Sequence, residues 1–162
     1  MNDIKQHSFV PAFVPTMRRA TSRDLPAIVR LWIVEGARKD AEHDNPLAPC
    51  YAEALAAIEN DPNNALIVAE LDGQVAGAFQ LTVIQNVANC GSRTAQVESV
   101  VVVGALRSKG VGAAMMRWAI DEARRRGCLR VQLTSNKSRR RAHAFYERLG
   151  FVASHEGMKL DL

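Results

Sequence analysis

Residues 94–126 constrain the fold of this chain more than any other stretch: TAQVESVVVV, then GALRSKGVGAA, then MMRWAIDEARRR. The first ten residues are dense in β-branched side chains and read as a long central strand. The last twelve read as an amphipathic helix, with a triple arginine suited to the negative end of its dipole. Between them lie two glycines and two cations. A helix start carries several N–H groups without internal partners, together with partial positive charge, so anions bind there readily. Gly110 and Gly112 keep side chains away from that backbone, and Arg107 and Lys109 can add charge-assisted bonds. The loop is neither of two common nucleotide motifs. The residue five after Gly104 is Lys109 where a Walker loop needs glycine, and Met115 stands where the last glycine of GxGxxG would fall. Taken alone, the glycines fit a phosphate cradle and a tight, empty strand-to-helix turn equally well.

The chain has 162 residues, 48% of them hydrophobic and 23% charged, a length and balance that suit one domain with a real core. Its apolar runs are too short to cross a bilayer, and the first fifteen residues lack the continuous apolar segment of a signal peptide. We read residues 1–15 as a flexible lead-in and 16–162 as the domain. Three widely spaced cysteines argue against a disulfide framework and fit a reducing cytoplasm. Four histidines without ligand spacing predict no metal. The net charge of +4 is uneven, with RRR at 124–126 and again at 139–141. Such a bias suggests an anionic partner, although the first run is explained by its helix end.

The other elements follow from periodicity and punctuation. TMRRA (16–20) predicts a short strand. TSRDLPAIVRLWIVEGARKD predicts a helix, with Thr21 or Ser22 as its cap, and YAEALAAIEN (51–60) predicts a second. ALIVAEL, Asp72-Gly73 and QVAGAFQLTVI predict a hairpin with a two-residue turn. QNVANCGSR predicts a polar loop. CLRVQLTS predicts a further strand, and SRRRAHAFYERLG a short helix capped by Ser138. FVAS and GMKLDL predict two last strands. The order is β-α-α-β-β-β-α-β-α-β-β: an α+β fold whose mixed, mostly antiparallel sheet has about seven strands with helices on both faces.

VESVVVVGALRSKGVGAA (97–114) resembles the acyl-CoA-binding motif of the GNAT family of N-acetyltransferases. That family's [QR]xxGx[GA] pattern reads here Arg107, Ser108, Lys109, Gly110, Val111, Gly112. AHAFYERLGF (142–151) resembles a second family segment, in the right order and at a typical distance. The resemblance spans roughly residues 16–162 and implies the acyl-CoA N-acyltransferase fold with acetyl-CoA as co-substrate. It implies that the coenzyme A pyrophosphate lies on the amides of residues 108–113, contacting Ser108, Lys109, Gly110, Val111, Gly112 and Ala113. The pantetheine arm would run beside Val100, Val101 and Val102, where the family usually has a bulge that splays this strand from the next. The sequence itself does not locate the bulge.

By the same resemblance, Glu98 is the candidate base that takes a proton from the attacking amine, and Tyr146 the candidate acid for the departing thiolate. On the residues alone, Glu98 could equally face solvent or pair with an arginine, and Tyr146 could be a core aromatic. Many relatives carry an asparagine seven residues before this tyrosine. Arg139 stands there instead, within an NxxRxxAHxFY pattern that resembles a small-amine-acetylating subset, which makes Arg139 a candidate for coenzyme A phosphate. Asn136 is left outside the firm site. Glu35, Asp40, Glu42, His43 and Asp44 form an acidic stretch near the expected acceptor pocket, suited to a cationic amine.

The expected reaction is therefore acetyl transfer to a primary amine, that of a small molecule in preference to a protein N-terminus or lysine. A different class, a coenzyme A sensor or nucleic-acid-binding module using the arginine runs, is disfavoured because no aromatic residues interleave with them. No nucleic acid, metal or membrane partner is expected, and a homodimer is allowed.

Overall fold

A computed structural model describes residues 14–36 and 45–161. The lead-in up to Phe13, the acidic residues Asp40, Glu42, His43 and Asp44, and Leu162 lie outside the described residues. The elements are β1 (Thr16–Arg19), α1 (Leu25–Glu35), α2 (Pro49–Glu59), β2 (Asn64–Leu71), β3 (Gln74–Gln85), β4 (Arg93–Val102), α3 (Val111–Arg125), β5 (Cys128–Leu133) and α4 (Arg140–Arg148). The sheet runs β1-β2-β3-β4-β5, antiparallel through β4, with β5 parallel to β4.

Side-chain alternation sorts the sheet into two packed faces. Leu66 and Val68 of β2 and Ala78 of β3 meet Leu25, Ile28 and Leu31 of α1 and Leu55 of α2. Their neighbours Ala65, Ile67, Ala69 and Phe79 meet Val111, Met115, Met116 and Ala119 of α3 on the other face. Buried on both sides, β2 reads as a nearly unbroken apolar run. The hairpin forms as its turn chemistry requires, Asp72 at φ 50° and Gly73 at φ 75°.

Three expectations are corrected. FVAS and GMKLDL form no ladder, so the described sheet has five strands rather than about seven. A strand needs a partner for its amides. Here Phe151 N instead donates to Tyr146 O at 3.1 Å, and Ser154 N to Val152 O at 3.0 Å. Val152, Met158 and Leu160 are 81%, 94% and 85% exposed, so no burial holds this tail against the sheet. Second, α1 is not capped by Thr21 or Ser22. Asp24 occupies the cap position, and its carboxylate accepts bonds from Thr21 N and Oγ1 and from Arg18. Third, α4 begins after Arg139. Ser138 Oγ is drawn back to Asn136 Oδ1 at 2.8 Å and caps nothing. The QNVANCGSR loop is as expected irregular, with Asn89, Cys90 and Gly91 all left-handed.

Candidate active site

The glycine loop leaves an anion-sized set of donors uncovered. Gly110 is the N-cap of α3 at φ 91°, and the first bond into the helix is Ala114 N to Gly110 O at 2.9 Å. The amides of Ser108, Gly110, Val111, Gly112 and Ala113 have no hydrogen-bond partner among the described residues. A Cβ on Gly110 would meet nothing within 4 Å, so the space over this backbone is open. Ser108 is itself left-handed at φ 62°, a conformation that costs a serine roughly 1 kcal/mol and turns successive N–H groups to one side.

The bulge that the sequence could not place lies at Ser99 and Val100. Gln80 pairs with Glu98, but Ala78 pairs with Val101, so two residues of β4 oppose Phe79 alone. Ser99 stands at φ 53°. The extra residue reverses the alternation: Val97 belongs to the α3 face, whereas Val101 belongs to the α1 face. Pairing between β4 and β5 ends just before it, at Val97 with Leu133. The backbone edge of β4 from Glu98 to Val102 therefore has no β5 ladder beside it, which leaves an open cleft along that edge. The Ser99 carbonyl accepts a hydrogen bond from Trp32 Nε1 of α1 at 3.0 Å.

Glu98 is exposed beside this cleft, and its carboxylate makes no hydrogen bond or ion pair among the described residues. Tyr146 is half-buried on α4. Its ring packs edge-on against Phe145 (centroids 5.1 Å apart) and Phe151 (5.8 Å). Burial raises its phenol above the ordinary value of 10, with the positive charge of Arg139 pulling the other way. Its hydroxyl has no hydrogen-bond partner among the described residues. Phe145 packs on the core, as expected.

Arg107 is turned away from the cradle. Its guanidinium reaches the last residue of α1, 2.8 Å from the Glu35 carboxylate and 3.3 Å from the Glu35 carbonyl oxygen. Glu35 Oε1 also lies so close over Gly104 that any Cβ there would collide with it. Arg139, Arg140 and Arg141 are exposed and form no ion pair among the described residues. Arg124, by contrast, pairs with Asp121, and Arg125 and Arg126 with Glu122, whose carboxyl they hold down at about 2. The first arginine run is thus a helix terminus satisfied by its own carboxylates. Asn136 serves its turn: Oδ1 accepts from Ser138 N and Oγ, and its carbonyl faces His143 Nε2 at 3.0 Å.

Sequence reasoning missed Trp32 and Ser135, and it left the bulge that the resemblance implied without a position. Ser135 Oγ is buried without a partner, two residues past the end of the β5 ladder. A buried unpaired hydroxyl costs roughly 1–3 kcal/mol, which a ligand amide entering the cleft would offset. The uncovered amides and this hydroxyl fit a diphosphate with a polar amide arm. The only sequence trace of the bulge is a run, VESVVVV, that fails to alternate.

A strand-loop-helix cradle beside an unpaired strand edge is the arrangement that the resemblance to acyl-carrier transferases implies, and comparison with known proteins gives the family. Residues 28–151 match the family model described as "Acetyltransferase (GNAT) family". The aminoalkylphosphonate N-acetyltransferase of Salmonella typhimurium is 29% identical over 139 residues, 86% of each chain. The glucosamine 6-phosphate N-acetyltransferase of Trypanosoma brucei brucei is 32% identical over 90 residues, 56% of this chain and 59% of that one. A crystal structure of a transcriptional regulator from Bacillus halodurans C-125 superposes with a TM-score of 0.88 at 38% identity, covering 91% of this chain and 99% of that one. The chain belongs to the acetyltransferase (GNAT) family and is an acyl-CoA-dependent N-acetyltransferase.

Proposed function

We propose that the protein acetylates the primary amine of a small metabolite that also carries a phosphonate or phosphate group. The observation that supports this most is the cleft: a bulged β4 edge without a β5 partner, running into five uncovered amides at the start of α3. Acetyl-CoA supplies the activated thioester, its diphosphate on residues 108–113, with Lys109 adding charge there and its arm beside Val100–Val102. Arg139, exposed at the start of α4, is available to the remaining phosphate. Two curated relatives are named for acceptors that join an amine to a phosphorus oxyanion. The acceptor class is taken from that shared chemistry.

Catalysis then follows from the charges that move. The amine must be neutral to attack, and Glu98, exposed beside the cleft, accepts its proton directly or through one water. The new N–C bond forms as negative charge gathers on the carbonyl oxygen, where main-chain donors of the bulged edge stabilise it. The C–S bond then breaks. A thiol ordinarily ionises near 8.5, so a phenol raised above 10 is the weaker acid of the pair. Tyr146 therefore acts chiefly by donating a hydrogen bond to the departing sulfur, and the second proton, which the nitrogen sheds on becoming an amide, passes through water to the thiolate.

The test is thiol release from acetyl-CoA across aminoalkylphosphonates, amino sugar phosphates, polyamines, amino acids and peptides. Turnover is expected with the phosphorus-bearing amines. Turnover of peptides alone would favour a protein acetyltransferase, and no turnover with any amine would refute the proposal. A second reading, as a regulator that contacts nucleic acid, draws on the Bacillus halodurans structure and the unpaired Arg139–Arg141 run. It requires DNA affinity that falls steeply with salt.

A further inference from the structure

We propose that Trp32 is a positioning residue for acetyl transfer: its indole N–H holds the Ser99 carbonyl and so fixes the aim of the β4 edge beside the thioester. The inference rests on the acetyl-transfer reading of the cleft and adds a residue of α1 to it.

Ser99 occupies the left-handed region, which side chains other than glycine enter only when their surroundings compel it. The ladder does not compel it, since the bulge takes Ser99 out of register with β3. The bulge admits such a residue, and the bond from Trp32 Nε1 holds its carbonyl, at 3.0 Å across 67 residues of chain. The tryptophan is itself anchored: its ring packs against the core cluster formed by Leu25, Ile28 and Leu31 of α1 with Val101 of β4. Trp32 thus joins a packed helix to the bulge of the strand that must present its backbone to the acyl group.

The same turn of α1 touches this edge a second time. One turn on from Trp32, Glu35 lies over Gly104 and pairs with Arg107. The free edge of β4 is therefore held near both ends by one helical turn. A strand held in this way keeps the donors beside the reacting carbonyl in place. Releasing one end misaligns the chemistry more than it weakens attachment of the cofactor, because the uncovered amides of the cradle lie beyond the second contact.

The experiment uses the full chain with the acceptor that the thiol-release panel identifies. At position 32 alone, 3-benzothienylalanine keeps the shape of the ring and lacks the donor, while 7-azatryptophan keeps the N–H. The first is expected to lower kcat about tenfold or more, with the KM for acetyl-CoA within about twofold and the melting temperature little changed. The second is expected to restore most of kcat. Trp32→Phe should resemble the first, and the isosteric pair remains decisive if that variant folds poorly. Equal kcat in both isosteres, or a loss expressed wholly as a raised KM, overturns the proposal. A wild-type protein that acetylates no amine refutes the underlying reading instead.

Discussion

Gly110 combines two demands that can be separated by substitution. Its φ of 91° strains any other residue, and the space above it is empty. Gly110→Ala should cost about 1 kcal/mol of stability and only a few-fold in acetyl-CoA affinity. Gly110→Glu should abolish binding by calorimetry, because it sets a carboxylate where a phosphate belongs. Tyr146→Phe keeps both edge-on ring contacts and removes only the hydroxyl. It should lower kcat about tenfold to a hundredfold while leaving the acetyl-CoA dissociation constant unchanged. Since burial raises this phenol above 10, it stays protonated through neutral and mildly alkaline pH. An alkaline limb in wild-type kcat below pH 10 must therefore survive in the phenylalanine variant. At this scale the sequence was legible where a residue type has few uses, as with two glycines before a helix. It was illegible where a role depends on a distant partner: nothing near Trp32 announces Ser99, and nothing near Arg107 announces Glu35.

At the scale of elements, α1 is fastened as well as packed. Arg18 of β1 reaches Asp24 at the helix start and Glu70 on β2, with contacts of 2.6–2.8 Å. The Arg18 hydrogen bonds hold the Asp24 carboxyl at about 2, below its ordinary 3.8, against the opposing effect of burial and with help from Thr21. Because the folded value is depressed, the stabilisation is fully present above about pH 4 and is lost as pH falls toward 2. It amounts to about 2 kcal/mol. Asp24→Asn should therefore lower the melting temperature at pH 7 and bring variant and wild type together near pH 2. Helices and inner strands were legible because burial imposes a period on them. The last two strands were not, because an extended apolar-polar pattern does not say whether an edge will receive it. The caps expected at Thr21 and Ser138 failed for a related reason, since each hydroxyl found a closer acceptor, Asp24 or Asn136.

Across the whole molecule, charge is divided between pairs that hold the fold and cations left over. The arginines at 124–126 are consumed by Asp121 and Glu122, whereas those at 139–141 stay exposed at the start of the helix that carries Tyr146. Arg139→Ala should weaken binding of coenzyme A more than that of its dephosphorylated form, and the difference should shrink at high salt. Equal losses for both ligands would detach Arg139 from that phosphate. The excess of arginine was readable from composition, but its division required knowing which carboxylates lie one turn away.

Glu35 has a consequence for the order of events. It ends α1, and it neutralises the arginine that opens the cradle. A diphosphate arriving at residues 108–113 would compete for Arg107, leaving the Trp32 bond to hold the β4 edge during transfer and the Glu35 carboxylate free to attract an ammonium. Cofactor arrival would then create the attraction for the second substrate, making addition compulsory in sequence. An unreactive acceptor analogue should accordingly inhibit uncompetitively against acetyl-CoA, and Glu35→Gln should turn that pattern noncompetitive.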